Sequence, residues 1–245
     1  MKILIGCATD QGNYQDKNQD CVICHKARNG KTDLAIACVC DGIGSFENSE
    51  IAAIMMTEGI SKWFQGIITY HPKTISDEEL LEDLELTIKE LNELIYRYRQ
   101  ENRVDIGCTM SLILIINKEY YIFNVGDSRI YCFRDELAQI THDEVIIRAV
   151  NGKVRSLLAN YIGKSNELWM NRLNGTINEN DVLIVGSDGL YKQLRAEDLI
   201  QVKKARNDKA INIICRSLLS IMMDRGEKDN LSCAVLLFHK GKSFL

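Results

Sequence analysis

Apolar runs that end in an aspartate beside a glycine-rich turn occur three times in this chain. They are LAIACVCDGIG (34–44), YIFNVGDSR (121–129) and DVLIVGSDGL (181–190), and a fourth aspartate, Asp229, precedes the apolar run NLSCAVLLF. Short apolar runs bounded by turn residues are typical of buried β-strands. Carboxylates brought together at strand ends repel one another unless a cation lies between them. The pattern therefore predicts a strand-rich fold with a carboxylate-lined site for hard metal ions.

The predicted elements do not follow the strict alternation of strand and helix that a parallel sheet requires. Helices are predicted over 49–69, 77–101, 196–202 and 209–223, with Ser76 as the N-cap of the second, and Asn117-Lys118 is a plausible two-residue hairpin loop. Strands are predicted over 2–8, 20–26, 33–40, 109–116, 119–125, 129–134, 136–139, 182–186 and 231–238. This order predicts an α+β layered sandwich rather than a Rossmann-type sheet.

Composition indicates a single domain over residues 1–245. The chain has one proline, Pro72, so no proline-rich linker divides it. The net charge of −4 argues against non-specific binding of nucleic acid or of anionic membranes. No apolar run approaches the roughly 18 residues that span a bilayer, and the N-terminus is typical of a first strand rather than a signal peptide.

The cysteine pattern favours packed, reduced thiols over a disulfide framework or a zinc site. There are nine cysteines, and seven lie within apolar runs, where a thiol behaves as a small hydrophobe. Cys21 and Cys24 would point to opposite faces of a strand, because their spacing is odd. An odd number of cysteines without a secretion signal indicates a reducing cytoplasm.

Carboxylates, backbone carbonyls and waters are the ligands that suit Mg²⁺ or Mn²⁺. Two such ions a few ångströms apart bind a phosphate and lower the pKa of a bridging water, so phosphate-ester hydrolysis then needs no side-chain nucleophile. Other routes are disfavoured by the sequence. No cysteine is followed six residues later by arginine, no D-x-D follows a strand, and there is no P-loop.

Seven segments occur in an order that carries a family resemblance. They are TDQGNYQDKNQD (9–20), CDGIGSFENSEIAA (40–53), GCT (107–109), NVGDSRIY (124–131), QITHD (139–143), GSDGLY (186–191) and KDNLSCAV (228–235). Each is weak alone. Together they resemble the metal-dependent protein serine/threonine phosphatases, the PPM or type 2C family, in its compact bacterial form. The resemblance spans essentially the whole chain.

The resemblance implies a four-layer α-β-β-α sandwich of two antiparallel sheets flanked by helices, with two Mn²⁺ or Mg²⁺ ions at one end. By motif, Asp41 would bridge both ions and the carbonyl of Gly42 would bind the first. Asp188 and Asp229 would hold the second. Asp20 would orient water bound at the metal, so the implied catalytic set is Asp20, Asp41 and Asp188.

Three further positions follow from the same motifs. Gln19 stands where the family has Glu or Gln, and Asn230 would steady the turn that carries Asp229. Asp127 would lie at the edge of the site and join a third, weaker metal. The alternative for Asp127 is a structural role, pairing with Arg129 or capping a turn.

The chain departs from the family pattern in two places. The arginine that binds substrate phosphate in the family corresponds to Gln15, and a neutral amide does not replace a guanidinium. What binds the phosphate is therefore unknown from sequence, with Lys17 and Lys2 as candidates. The flap, about 141–163, is short, and its segments 144–149 and 153–161 are expected to form short helices beside an open groove.

The expected function is metal-dependent hydrolysis of phosphoserine and phosphothreonine in cytoplasmic proteins by direct attack of an activated water, opposing a Ser/Thr kinase. Nucleic acid and membrane are not expected as partners. Two alternatives stay open. One is a catalytically weak or inactive pseudophosphatase that acts as a binding module, which Gln15 favours. The other is a small-molecule phosphoesterase, which the short flap favours.

Overall fold

Two five-stranded antiparallel sheets form the centre of the molecule. The computed structural model describes residues 1–29, 32–70, 76–150 and 153–239. The first sheet has the order β1 (Lys2–Asp10), β12 (Leu231–His239), β11 (Val182–Gly186), β6 (Arg129–Phe133) and β7 (Leu137–Gln139). The second has the order β10 (Asn171–Thr176), β5 (Glu119–Val125), β4 (Met110–Ile116), β3 (Thr32–Cys40) and β2 (Cys21–Asn29).

Strand β3 shows why the apolar runs are continuous rather than alternating. Leu34, Ile36, Cys38 and Cys40 belong to the core on the helix side of the second sheet, whereas the alternate residues Ala35, Ala37 and Val39 belong to the core between the two sheets. Side chains alternate between the faces of a strand, so a strand covered on both faces must be apolar at every position. Strand β12 is buried on both faces in the same way.

The outer layers are helical, which confirms the predicted α-β-β-α sandwich. Helices α1 (Ser49–Tyr70) and α2 (Asp77–Asn102) cover the second sheet, and α4 (Asp208–Asp224) covers the first. The predicted N-cap of α2 is present: Ser76 accepts a hydrogen bond from the N–H of Glu79, whose carboxylate accepts one from the N–H of Ser76. The predicted hairpin at 117–118 joins β4 to β5.

The flap prediction is wrong in its secondary structure. The segments predicted as helices over 144–149 and 153–161 instead form strands β8 (Val145–Val150) and β9 (Lys153–Leu158), which pair antiparallel. The first segment, VIIRAV, is rich in β-branched residues, and the dipeptide between the two segments is Asn-Gly, which is typical of a two-residue hairpin loop. Residues 151 and 152 themselves lie outside the described residues.

Three other elements differ from the sequence prediction. The helix predicted over 196–202 is two 3₁₀ helices, Ala196–Leu199 and Val202–Lys204. The prediction omitted strand β10 and the single-turn helix α3 (Asp188–Tyr191). Strand β10 has a polar sequence and pairs only with β5 at the sheet edge, so it carries little of the apolar pattern that identifies a strand.

The cysteines are reduced and packed. All nine are free, and Cys21 packs on the helix side of the second sheet whereas Cys24 packs between the sheets, as their odd spacing predicts. No helix in the described parts of the chain is both long and apolar enough to cross a membrane.

Candidate active site

The aspartates identified in the sequence meet at one end of the sandwich because the strands are antiparallel. Strand β2 begins where β3 ends, which places Asp20 beside Asp41. Strand β11 ends where β12 begins, which places Asp188 near Asp229. Strand β5 ends two residues before Asp127. Two sheets that pack face to face thus bring five carboxylates to a common edge.

Four of these carboxylates line one cavity of about 260 Å³. The other lining residues are Gly42, Ile43, Gly44, Ser45 and Thr109, together with Ser156, Leu157 and Leu158 of β9. Two larger cavities, of about 450 and 490 Å³, lie elsewhere, and neither gathers carboxylates. The cavity at the strand ends is therefore the one with the chemistry of a metal-dependent site.

Mutual repulsion is strong at the centre of the cluster. Burial raises the pKa of Asp41 well above its ordinary range, and four neighbouring carboxylates raise it further. These neighbours are Asp20, Asp188, Asp127 and Asp229. Burial also raises the pKa of Asp127 to about 6, with Asp188 and Asp143 adding to the effect. A cation in the cavity would relieve this repulsion.

Asp20 has one carboxylate oxygen held and one without a partner. Burial raises the pKa of Asp20 to about 6, against the opposing effect of the hydrogen bond from Ser187. The hydroxyl of Ser187 donates to Oδ2 of Asp20 at 2.8 Å, and that hydroxyl accepts from the N–H of Ser232 at 3.0 Å. Oδ1 of Asp20 is buried and accepts no hydrogen bond within the protein. Such an oxygen suits a water molecule that it would orient.

The oxygen atoms of the cavity suit hard divalent cations, although the side chains do not surround an ion in their present positions. In the described portion of the chain, no three His, Cys, Asp or Glu side chains converge closely enough to hold an ion. Instead, Nζ of Lys192 lies 2.6 Å from Oδ2 of Asp188 and 3.8 Å from Oδ2 of Asp229. Carboxylate oxygens in a cavity that also exposes the backbone at Gly42 are the ligands that Mg²⁺ and Mn²⁺ prefer.

Glycine is the only residue type that fits at position 42. Its N–H donates to the carbonyl of Gln19 at 3.2 Å, and a Cβ at Gly42 would lie 2.7 Å from that carbonyl oxygen. The side-chain amide of Gln19 donates to the carbonyl of Phe46 at 2.8 Å. Gln19 therefore positions the turn that carries Asp41 and Gly42.

Asn230 connects the two loops that flank the carboxylates. Its Oδ1 accepts from the N–H of Gln19 at 2.8 Å, and its Nδ2 donates to the carbonyls of Gln11 and Lys17 at 2.8 and 2.9 Å. A side chain with one acceptor and two donors satisfies all three groups at once. Asn230 thereby fixes the loop before β2 against the turn before β12.

Gln15 lies directly at the site. Its Nε2 donates to the carbonyl of Lys228 at 3.2 Å and lies 3.4 Å from Oδ1 of Asp229. The position that the resemblance assigns to phosphate binding thus holds an uncharged amide. Lys17, one candidate replacement, is bound to Glu50 at 3.2 Å, and Lys2, the other, lies at a separate cavity.

Sequence reasoning missed Lys192 and misjudged Arg129. Arg129 pairs with Asp143 through contacts of 2.8 and 2.7 Å, so the proposed pairing of Asp127 with Arg129 is wrong. Lys192 stands four residues after Asp188, and this spacing brings two side chains together once the segment is a helical turn. The spacing was the available signal, but the single-turn helix was not predicted.

Comparison with known proteins identifies the class to which this fold and site belong. The family described as Protein phosphatase 2C matches residues 12–233. The chain therefore belongs to the protein phosphatase 2C family, and it is an enzyme of the hydrolase class.

Individual relatives agree over nearly their full length. The serine/threonine phosphatase stp of Listeria monocytogenes is 24% identical, with 96% of each chain covered. The protein phosphatase PhpP of Streptococcus pneumoniae is 22% identical, with 95% of this chain and 96% of the relative covered. The crystal structure of Stp1 from Staphylococcus aureus superposes with a TM-score of 0.79 at 24% identity, covering 98% of this chain and 96% of that one.

A further solved structure bears on the metal. The catalytic domain of the serine threonine protein phosphatase PstP, in complex with two manganese ions, superposes with a TM-score of 0.73 at 20% identity. It covers 97% of this chain and 99% of that one. The two molecules share a fold.

Proposed function

We propose that this chain hydrolyses phosphoserine and phosphothreonine in protein substrates, using two Mn²⁺ or Mg²⁺ ions at the carboxylate cluster. The observation that carries the proposal is the convergence of the four aspartates that line one cavity, beside a fifth whose free oxygen is buried. The single catalytic domain spans residues 1–245. The β8–β9 hairpin, within the shortened flap of about 141–163, borders the cleft.

The proposed ligands are the cavity-lining residues that the resemblance assigns to the metals. Asp41 and the carbonyl of Gly42 would hold the first ion, and Asp41 with Asp188 and Asp229 would hold the second. Asp127 at the cavity wall would hold a third, weaker ion. When bound, the ions supply positive charge to the phosphate and lower the pKa of a water.

The remaining residues orient the attacking water or hold the loops of the site in place. Asp20 accepts a hydrogen bond from the attacking water through Oδ1, because that oxygen has no partner in the protein and Ser187 fixes the other. Gln19 and Asn230 hold the two loops in register. No side chain of the cluster is required as a nucleophile, so the reaction proceeds by direct transfer to water.

The chemistry of the substrate indicates which enzyme opposes this one and in which compartment. A hydrolase of phosphorylated side chains opposes a Ser/Thr kinase in the same compartment. Nine free thiols support a reducing compartment, and we place the reaction in the cytoplasm.

Hydrolysis of p-nitrophenyl phosphate tests the metal requirement, with EDTA, Mg²⁺ or Mn²⁺ added to the wild type and to Asp188→Asn. We expect activity only with metal, and a loss in kcat/KM of more than about 100-fold in the variant, because several kcal/mol of charge stabilisation is removed. Asp105→Asn is the matched control, since Asp105 is exposed and pairs with Arg99. Full activity of Asp188→Asn, or activity in EDTA, would contradict the proposal.

Substrate class needs a separate measurement. Phosphoserine and phosphothreonine peptides should be turned over faster than nucleotides at equal concentration. Preference for nucleotides would instead indicate a small-molecule phosphoesterase. A folded protein that binds Mn²⁺ but hydrolyses nothing would indicate a binding module.

A further inference from the structure

One lysine lies inside the carboxylate cluster. The ammonium of Lys192 contacts Asp188 at 2.6 Å and approaches Asp229 at 3.8 Å, and its side chain is 44% exposed. Among the side chains that the structure describes, Lys192 is the only Lys or Arg that forms an ion pair with any of the five clustered aspartates. It therefore faces both the proposed ions and the solvent from which a substrate arrives.

Two other cations close to this end of the sandwich, Lys17 and Arg129, are already bound elsewhere. Lys17 contacts Glu50, the carbonyl of Glu47 and Oδ1 of Asn48. The guanidinium of Arg129 is bound by Asp143 and lies 3.8 Å from the centre of the Tyr191 ring. Withdrawing either cation would leave a carboxylate without its partner.

Gln15 faces Asp229 from the opposite loop, and its side chain carries no charge. Gln15 reaches Asp229 with an amide at 3.4 Å. A phosphate ester that enters a cluster of carboxylates meets repulsion, which bound metal offsets only in part. A charged donor to the phosphate oxygens is therefore favourable, and charged hydrogen bonds are the strong ones.

We propose that Lys192 is the phosphate-binding cation of this site. The inference rests on the proposed function. The backbone of Lys192 is fixed, because its N–H donates to the carbonyl of Asp188 at 3.1 Å. Its four-carbon side chain is long and flexible, so the ammonium can move. If divalent cations bound the oxygens of Asp188 and Asp229, the ammonium would lose its two ion-pair partners. A phosphate bound beside those ions would offer it a new anionic partner.

Calorimetric titration of the Mn²⁺-loaded protein with inorganic phosphate tests this directly, because it measures binding without turnover. We expect Lys192→Met to weaken phosphate binding by about 10-fold or more, which corresponds to one charged hydrogen bond. Lys192→Arg should restore most of the affinity. Lys62→Met is the matched control: Lys62 is exposed on α1 and pairs with Glu58, so the variant should bind phosphate as the wild type does.

Kinetics on a phosphopeptide supply the second readout. Lys192→Met should raise KM more than it lowers kcat, because the contact is already made in the bound substrate. Titration of metal-free protein with Mn²⁺ should show affinity in Lys192→Met at least equal to that of the wild type, since a competing cation is gone.

Two results would overturn the inference. Unchanged phosphate affinity in Lys192→Met, together with tighter Mn²⁺ binding, would make the lysine only a counterion of the carboxylates. Absence of phosphate binding by the Mn²⁺-loaded wild type would also reject it. Failure of the proposed function looks different: the wild type would then show no metal-dependent hydrolysis, whatever residue stands at position 192.

Discussion

Asn230 illustrates how single side chains, rather than elements, set the geometry of this site. Its amide bonds three backbone groups of the segment 11–19, which is more than 200 residues away in sequence. It is nearly buried, so water does not replace a lost partner. The adjacent residue, Asp229, is a proposed metal ligand, and any shift of the turn moves that carboxylate.

Asn230→Asp keeps the acceptor but replaces both donors with a second acceptor. We expect a loss of about 1–3 kcal/mol in the free energy of unfolding, because the carbonyls of Gln11 and Lys17 lose their donors. Phosphatase activity should fall at least 10-fold. Thermal unfolding and kcat/KM measure the two effects. Asn13→Asp adds a charge at an exposed position in the same loop and should change neither. Equal behaviour of the two variants would refute the role of Asn230.

The convergence of the carboxylates was predictable from sequence because they lie at strand ends, whereas their roles as metal ligands stay predictions. Antiparallel pairing brings Asp188 near Asp229 within one sheet and places Asp41 at a strand end of the other. The packing of the two sheets then brings these strand ends together. Lys192 was not predicted, because its proximity to Asp188 depends on a four-residue helix with no apolar repeat of its own. The structural use of Gln19 likewise depends on a contact with Phe46 that no local pattern encodes.

At the scale of elements, sequence patterns identified those that carry their own signals. Helix α2 has a capping box and a buried stripe at helical spacing, and it was predicted to within a residue at each end. The 3₁₀ segments after residue 195 were predicted as one helix. Their geometry depends on Asp198, which accepts from the N–H of Arg195 and pairs with Arg225 at 2.6 Å. A partner 27 residues away is not readable from a local window.

The capping box of α2 offers a prediction confined to one element. Ser76→Ala removes the acceptor for the N–H of Glu79 and should cost about 1 kcal/mol, or roughly 2–4 °C in Tm. Ser76→Asp retains an acceptor and should recover most of this loss. Activity should be unchanged in both, because α2 covers the sheet face and not the carboxylate edge. A drop in kcat/KM would show that α2 is coupled to the site.

At the scale of the whole molecule, the sandwich and the site place opposing demands on stability. Four layers bury apolar strands on both faces, and the open end of the same strands gathers five carboxylates. The layer order follows from sequence, because doubly apolar strands need cover on each side. The repulsion at the open end does not, because it depends on how closely the two sheets bring their ends together.

The carboxylate repulsion at the open end is predicted to lower the free energy of unfolding of the metal-free protein. Asp41→Asn removes the buried ionisable group at the centre of the cluster and should raise the Tm of metal-free protein at pH 7 by about 2–8 °C, on the order of 1–2 kcal/mol. Mn²⁺ at about 100 times its Kd should stabilise the wild type by about 2.7 kcal/mol, because it binds only the folded state. Asp41→Asn should lose most of that gain.

Calorimetric unfolding with EDTA and then with Mn²⁺ measures both effects in the same two proteins, with Asp105→Asn as the exposed control. The informative result is a reversal in the order of the two Tm values. The variant has the higher Tm without metal, and the wild type has the higher Tm with Mn²⁺. A general stabilisation by the amide would raise Tm in both conditions. A general folding defect would lower it in both. Only a charge removed from a shared cation site reverses the order, because the repulsion that weakens the empty cluster is the same interaction that attracts the ion.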